Sequence, residues 1–161
     1  MPRGAPGGGS EHLAVCPSYP SGGMGVAGAK PMKALLDTST IIWAVAIPGE
    51  LSAKARSVLK DSETEAFYCP MSCAELAWAV ARKRVELDRH WKLWFRHYVS
   101  ELGWDCLPVD LEIVEEAYSL PEPFHADPVD RLLVATARIH GLRLITADEK
   151  ILAYPHVRTL W

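Results

Sequence analysis

Phe124 to Asp148 reads FHADPVDRLLVATARIHGLRLITAD. Asp127 is a good N-cap, Pro128 suits the first helical position, and Asp130 adds an acid to the first turn. A helix, a turn and a short apolar run fit for a buried strand follow. Thr146-x-x-Glu149 then reads as a capping box that opens a second helix, with Asp148 inside it. Each helix start in this stretch therefore carries acid.

The same alternation extends back along the chain. Lys33–Leu36 is a short apolar run that ends at Asp37, and Ile41, Ile42 and Val45 mark a helix that Pro48-Gly49 stops. Ser52 reads as the N-cap of a helix through Leu59. Ala66–Cys69 reads as a strand, and Ser72-x-x-Glu75 as a capping box for a helix with Leu76, Val80 and Trp78 as inward candidates. Asp88 is expected to cap a helix carrying Trp91, Trp94, Phe95, Tyr98 and Leu102 and ending at Gly103. Strands at Trp104–Val109 and Val157–Leu160 and a helix at Leu111–Ser119 complete the pattern. Strands alternating with helices predict an α/β fold with a mainly parallel sheet. Right-handed crossovers then place every strand-to-helix junction at the carboxyl edge of that sheet.

Composition bounds the function. The chain has 161 residues, enough for one domain with a core, and residues 1–31 are a Gly-, Pro-, Ala- and Ser-rich tail expected to be disordered. Met32 or Met24 reads as an alternative start codon. The folded domain is expected to span 32–161. A net charge of −3 gives no global field that would attract a polyanion, so any such partner must meet a local basic patch. No apolar run approaches the ~18 residues of a membrane span, and nothing resembles a signal peptide. Cys16, Cys69, Cys73 and Cys106 lack zinc-site spacing and read as thiols of a reducing cytoplasm.

Taken singly, Asp37, Glu75, Asp127, Asp130 and Asp148 are all explained as helix caps, worth about 1 kcal/mol each. As a set they are not. Thr38, Ser39 or Thr40 could have capped the first helix without Asp37, and Asp127 and Asp130 duplicate each other. Several acids on one sheet edge repel unless a cation lies among them. Hard oxygen donors select Mg²⁺ or Mn²⁺, which suits phosphodiester hydrolysis by an activated water. The expectation is that Asp37, Glu75, Asp130 and Asp148 lie within reach of one cation.

Four blocks carry a resemblance: M-K-A-L-L-D-T-S-T-I-I-W (Met32–Trp43), S-C-A-E-L-A (Ser72–Ala77), H-A-D-P-V-D-R-L-L-V-A-T-A (His125–Ala137) and G-L-R-L-I-T-A-D (Gly141–Asp148). In order and spacing the chain resembles PIN-domain ribonucleases, specifically VapC-type toxins of toxin–antitoxin pairs, over Met32 to Trp161. The resemblance implies a three-layer α/β/α sandwich and Mg²⁺-dependent endonucleolytic cleavage of RNA, often tRNA or rRNA. It also implies a small antitoxin that lies across the active-site groove, and a homodimer. Asp37 and Asp130 match the acids expected to ligate metal directly. Glu75 and Asp148 match the other two, and Asp127 is a companion of Asp130. Thr38 and Thr146 would orient carboxylates or water.

Other residues are open to two readings. Arg82, Lys83, Arg84, Arg89, Lys92 and Arg96 could follow an RNA backbone or form a solvated face. The aromatic residues from Trp91 to Tyr98 could stack on bases, but their spacing suits core packing. Trp43 and Trp78 could line an antitoxin groove. His125 could act near the scissile phosphate or be structural, and Arg131 suits a salt bridge. Rival functions are a different metal phosphohydrolase, disfavoured by Ser39 where a haloacid-dehalogenase-like site has a second Asp, and a non-catalytic binding module.

Overall fold

The computed structural model describes residues 31–161. The expected tail, apart from Pro31, and Cys16 lie outside the described residues. The chain runs β1 (Lys33–Leu36), α1 (Thr38–Ala46), a 3-10 turn (Pro48–Glu50), α2 (Ala53–Lys60), β2 (Glu65–Tyr68), α3 (Pro70–Ala81) and α4 (Trp91–Glu101). It continues through β3 (Asp105–Cys106), α5 (Leu111–Tyr118), α6 (Pro128–Ile139), β4 (Arg143–Ile145), α7 (Glu149–Leu152) and β5 (Thr159–Leu160).

All four strand pairings are parallel, in the order β3-β2-β1-β4-β5. β1 is therefore central. Its side chains alternate between two cores, as a strand buried on both faces requires. Ala34 and Leu36 pack with Ile41, Ala55, Leu76 and Trp94 from α1–α4. Leu35 packs with Leu133, Val134 and Leu144 from α6 and β4. α5 lies outside α6, joined through Ile113, Ala117 and Ala135. The result is the expected three-layer α/β/α sandwich. Each fully buried leucine of β1 contributes about 1.5–3 kcal/mol.

The order of the strands positions the site. From β1 the chain moves outward through β2 to β3, then returns to the other side of β1 with β4. Connections thus diverge at the carboxyl ends of β1 and β4, where open α/β sheets leave a crevice. Asp37 N–H bonds to Ile145 O at 3.1 Å, holding these two ends together.

Several local expectations are corrected. α3 begins at Pro70 with Cys69 as N-cap, so Ser72 is buried inside the helix and forms no capping box. Proline at the first helical position had already set the start. His90, not Asp88, caps α4 by accepting from Lys92 N–H, while Asp88 pairs with Arg89 at 2.9 Å. Thr146 does not cap α7; Asp148 does. Trp78 is 49% exposed rather than inward, and Leu102 is 47% exposed. The two edge strands are shorter than expected. Among the described residues no helix is long and apolar enough to cross a membrane.

Candidate active site

All five acids singled out in the sequence line one cleft of about 570 Å³, with Thr38, Ser39 and Arg84. They arrive from four elements. Asp37 ends β1, Glu75 lies in the second turn of α3, Asp127 and Asp130 start α6, and Asp148 starts α7.

Capping accounts for two of them. Asp127 Oδ1 accepts from the N–H groups of Val129 (2.9 Å) and Asp130 (3.2 Å). Asp148 Oδ1 accepts from Lys150 (2.8 Å) and Ile151 (3.1 Å). Of the other three, Asp37 stands at the N-cap position of α1 and Glu75 and Asp130 lie within their helices, and none makes a side-chain cap hydrogen bond. Asp37 is buried, makes no side-chain cap bond, and accepts from the Thr146 hydroxyl at 2.9 Å. Thr146 Oγ1 in turn accepts from Asp148 N–H at 3.0 Å, so one hydroxyl links the two strand ends. Glu75 accepts from the Thr38 hydroxyl at 2.5 Å. The Asp130 carboxylate has no hydrogen bond among the described residues; its neighbour is His125 Nε2, 3.5 Å away.

The electrostatics mark the same three. Burial pushes the carboxyls of Asp37 and Glu75 above their ordinary range, partly offset by the threonine hydroxyls. Asp130 is raised to about 7, first by burial and then by Asp127, Asp37, Asp148 and Glu75. Groups that shift one another in this way share a single electrostatic site. Among the described residues no three His, Cys, Asp or Glu side chains stand close enough together to hold a metal ion, so the acids share a cleft without the single cation-centred arrangement expected of Asp37, Glu75, Asp130 and Asp148. Like charges facing each other in one cleft hold apart. The donor set is oxygen only, carboxylates and hydroxyls, and fits a hard divalent cation rather than zinc.

Residues 34–157 match the family model described as "PIN domain". The chain belongs to the PIN-domain family. Ribonuclease VapC22 of Mycobacterium tuberculosis (strain ATCC 25618 / H37Rv) is 31% identical to this PIN domain over 129 residues, 79% of this chain and 97% of that protein. Two solved structures share the fold. A toxin-antitoxin complex from Klebsiella pneumoniae matches with TM-score 0.58 and 19% identity, over 80% of this chain and 96% of that one. VapBC2 from Rickettsia felis, bound to a DNA fragment from its promoter, matches with TM-score 0.59 and 13% identity, over 80% and 98%.

Nearby residues divide clearly. Arg131 is a structural clamp in this PIN domain: it donates to the carbonyls of Ala117, Phe124 and His125 and to Glu122. The His125 ring lies 4.4 Å from that of Phe124. Trp94 and Phe95 are core residues. Burial pushes the Cys69 thiol up to about 11, which leaves it a poor nucleophile. Ser39 and Arg84 line the cleft without having been singled out for it. Ser39 could have been found from its place in the helix turn after Asp37. Arg84 could have been found from its place just past the end of the helix that carries Glu75.

Proposed function

We propose that this PIN domain, residues 32–161, is a divalent-metal-dependent endoribonuclease and the toxin of a toxin–antitoxin pair. The observation that carries the proposal is the trio Asp37, Glu75 and Asp130, whose carboxylates make no cap hydrogen bond yet line one cleft. A binding module that kept its acids only as caps would account for Asp127 and Asp148 alone. The identity to Ribonuclease VapC22 supports RNA as substrate. The target class proposed with it is tRNA or rRNA. The fold shared with the toxin–antitoxin structures supports a small antitoxin as partner, and self-association into a homodimer belongs to the same reading.

In this reading Asp37, Glu75 and Asp130 hold Mg²⁺, or Mn²⁺ in its place, with Asp127 and Asp148 at the margin. The chemistry supplied by the bound cation is activation of the attacking water and neutralisation of charge growing on phosphorus. The protein supplies orientation. Thr146 and Thr38 each commit a hydroxyl proton to one carboxylate oxygen, which fixes the rotation of Asp37 and Glu75 before any ligand arrives. Burial and the neighbouring acids raise Asp130 to about 7, so a cation held there would displace the proton from the molecules that still carry it at neutral pH.

The test is incubation of purified protein with total RNA and Mg²⁺ or Mn²⁺. Wild type leaves discrete cut ends that chelator abolishes. Asp37→Asn, which can still accept from Thr146, stays folded and leaves the RNA whole. Full cleavage by folded Asp37→Asn protein overturns the reading.

A further inference from the structure

Among the described residues lining the cleft, five are carboxylates and one, Arg84, is a cation. That guanidinium is not spent on them. It lies over the indole of Trp78, 4.8 Å from the ring centre, and the guanidinium of Arg82 lies 4.3 Å from the same ring. Among the described residues neither arginine has an ion pair or a side-chain hydrogen bond. Other arginines near α6 are used internally: Arg131 on Glu122 and Arg138 on Glu116.

The backbone builds this arrangement. α3 ends in a reversal in which Lys83 N–H bonds to Val80 O and Arg84 N–H to Ala79 O, both at 2.9 Å. Lys83 adopts φ 57°, the left-handed conformation that normally favours glycine. The turn places Arg84 over a tryptophan one helical turn beyond Glu75. An aromatic face orients a guanidinium without neutralising it, whereas a carboxylate would cancel its charge. Arg82, Arg84 and Trp78 are all exposed.

We propose that Arg82 and Arg84, held on the indole of Trp78, form a phosphate clamp that takes the RNA backbone beside the scissile bond. The inference rests on the ribonuclease reading and deepens it. An acidic cleft repels a polyanion, and the clamp is the cationic handhold at its rim. Trp78 is a positioning residue, and the arginines are binding residues.

The experiment measures affinity for a fluorescent mixed-sequence single-stranded RNA across a salt series, using the full chain carrying Asp37→Asn to prevent cutting. Arg82→Ala with Arg84→Ala weakens binding and lowers the slope of log K against log salt by about 0.7 per arginine. Trp78→Ala removes no charge, yet it weakens binding as well, and Trp78→Phe restores it. In the cleaving protein Arg84→Ala raises KM with kcat little changed. An unaltered salt slope in the double variant overturns the clamp. So does normal affinity in Trp78→Ala. If wild type binds RNA through these arginines and cuts nothing, the nuclease reading fails and the clamp stands. If wild type cuts and the arginine variants cut with unchanged KM, the reverse holds.

Discussion

Asp130 lies in the first turn of α6, a favourable place for an acid, and yet its carboxyl is raised to about 7 from an ordinary 3.8. Burial and four neighbouring acids outweigh the helix dipole. A folded carboxyl that holds its proton more tightly than the unfolded one destabilises the charged form. The penalty is absent below about pH 4 and complete once the pH has risen through about 7. Asp130→Asn should therefore raise stability without divalent ions by about 1–3 kcal/mol at pH 8, discounted for partial exposure. The gain should shrink as pH falls toward 4, which melting curves across that range would show. The capping acids should behave in the opposite way. Asp127→Ala and Asp148→Ala should each lose about 1 kcal/mol, and the Asn variants almost nothing. The residue types of the site were legible in the sequence because acids cluster at helix starts. The division between capping and non-capping acids was not. Thr146 looked like a cap because Glu149 follows it at the right spacing, but its hydroxyl goes to Asp37, 109 residues away; no local pattern reports such a bond, and only the family resemblance, which implied that Thr38 and Thr146 orient carboxylates or water, pointed to it.

Elements with a strong punctuation signal were read correctly, and those with competing signals were shifted. Ser52 caps α2 and Asp127 caps α6 as expected, because each is the sole good cap beside an apolar face. At α3 two start signals overlapped, and Pro70 prevailed over Ser72. β3 and β5 shrank to two residues each because an edge strand has a partner on one side only. The loop before α6 shows how an element can be fixed from outside. The Arg131 side chain is 11% exposed and gathers three backbone carbonyls from α5 and this loop. Arg131→Met should leave those carbonyls without donors and cost about 2–4 kcal/mol, measured by urea unfolding. Because the loop leads into Asp127 and Asp130, cleavage should fall as well, even though Arg131 lies outside the cleft lining.

Across the whole molecule, the parallel sheet explains why scattered acids line one cleft. A strand order that diverges from β1 leaves its crevice at the carboxyl ends of β1 and β4, and those are the ends occupied by Asp37 and Thr146. This much follows from alternating strands and helices, whereas the width of the cleft and the cationic rim depend on side-chain packing. Divalent ions should stabilise the fold, since they relieve repulsion present only when it is assembled. At a hundred times Kd the gain is about 2.7 kcal/mol, read as a rise in melting temperature at pH 8 that Asp130→Asn abolishes. The central strand has a last consequence. Asp37 is translated before the rest of the site, and the acids that face it across the crevice come about ninety residues or more later. A product that stops anywhere before Asp127 holds only Asp37 and Glu75 and lacks β4, the neighbour that fixes the end of β1. Termination of translation before α6 therefore releases inert pieces, and the cutting activity proposed for this chain can belong only to a product translated past Asp148.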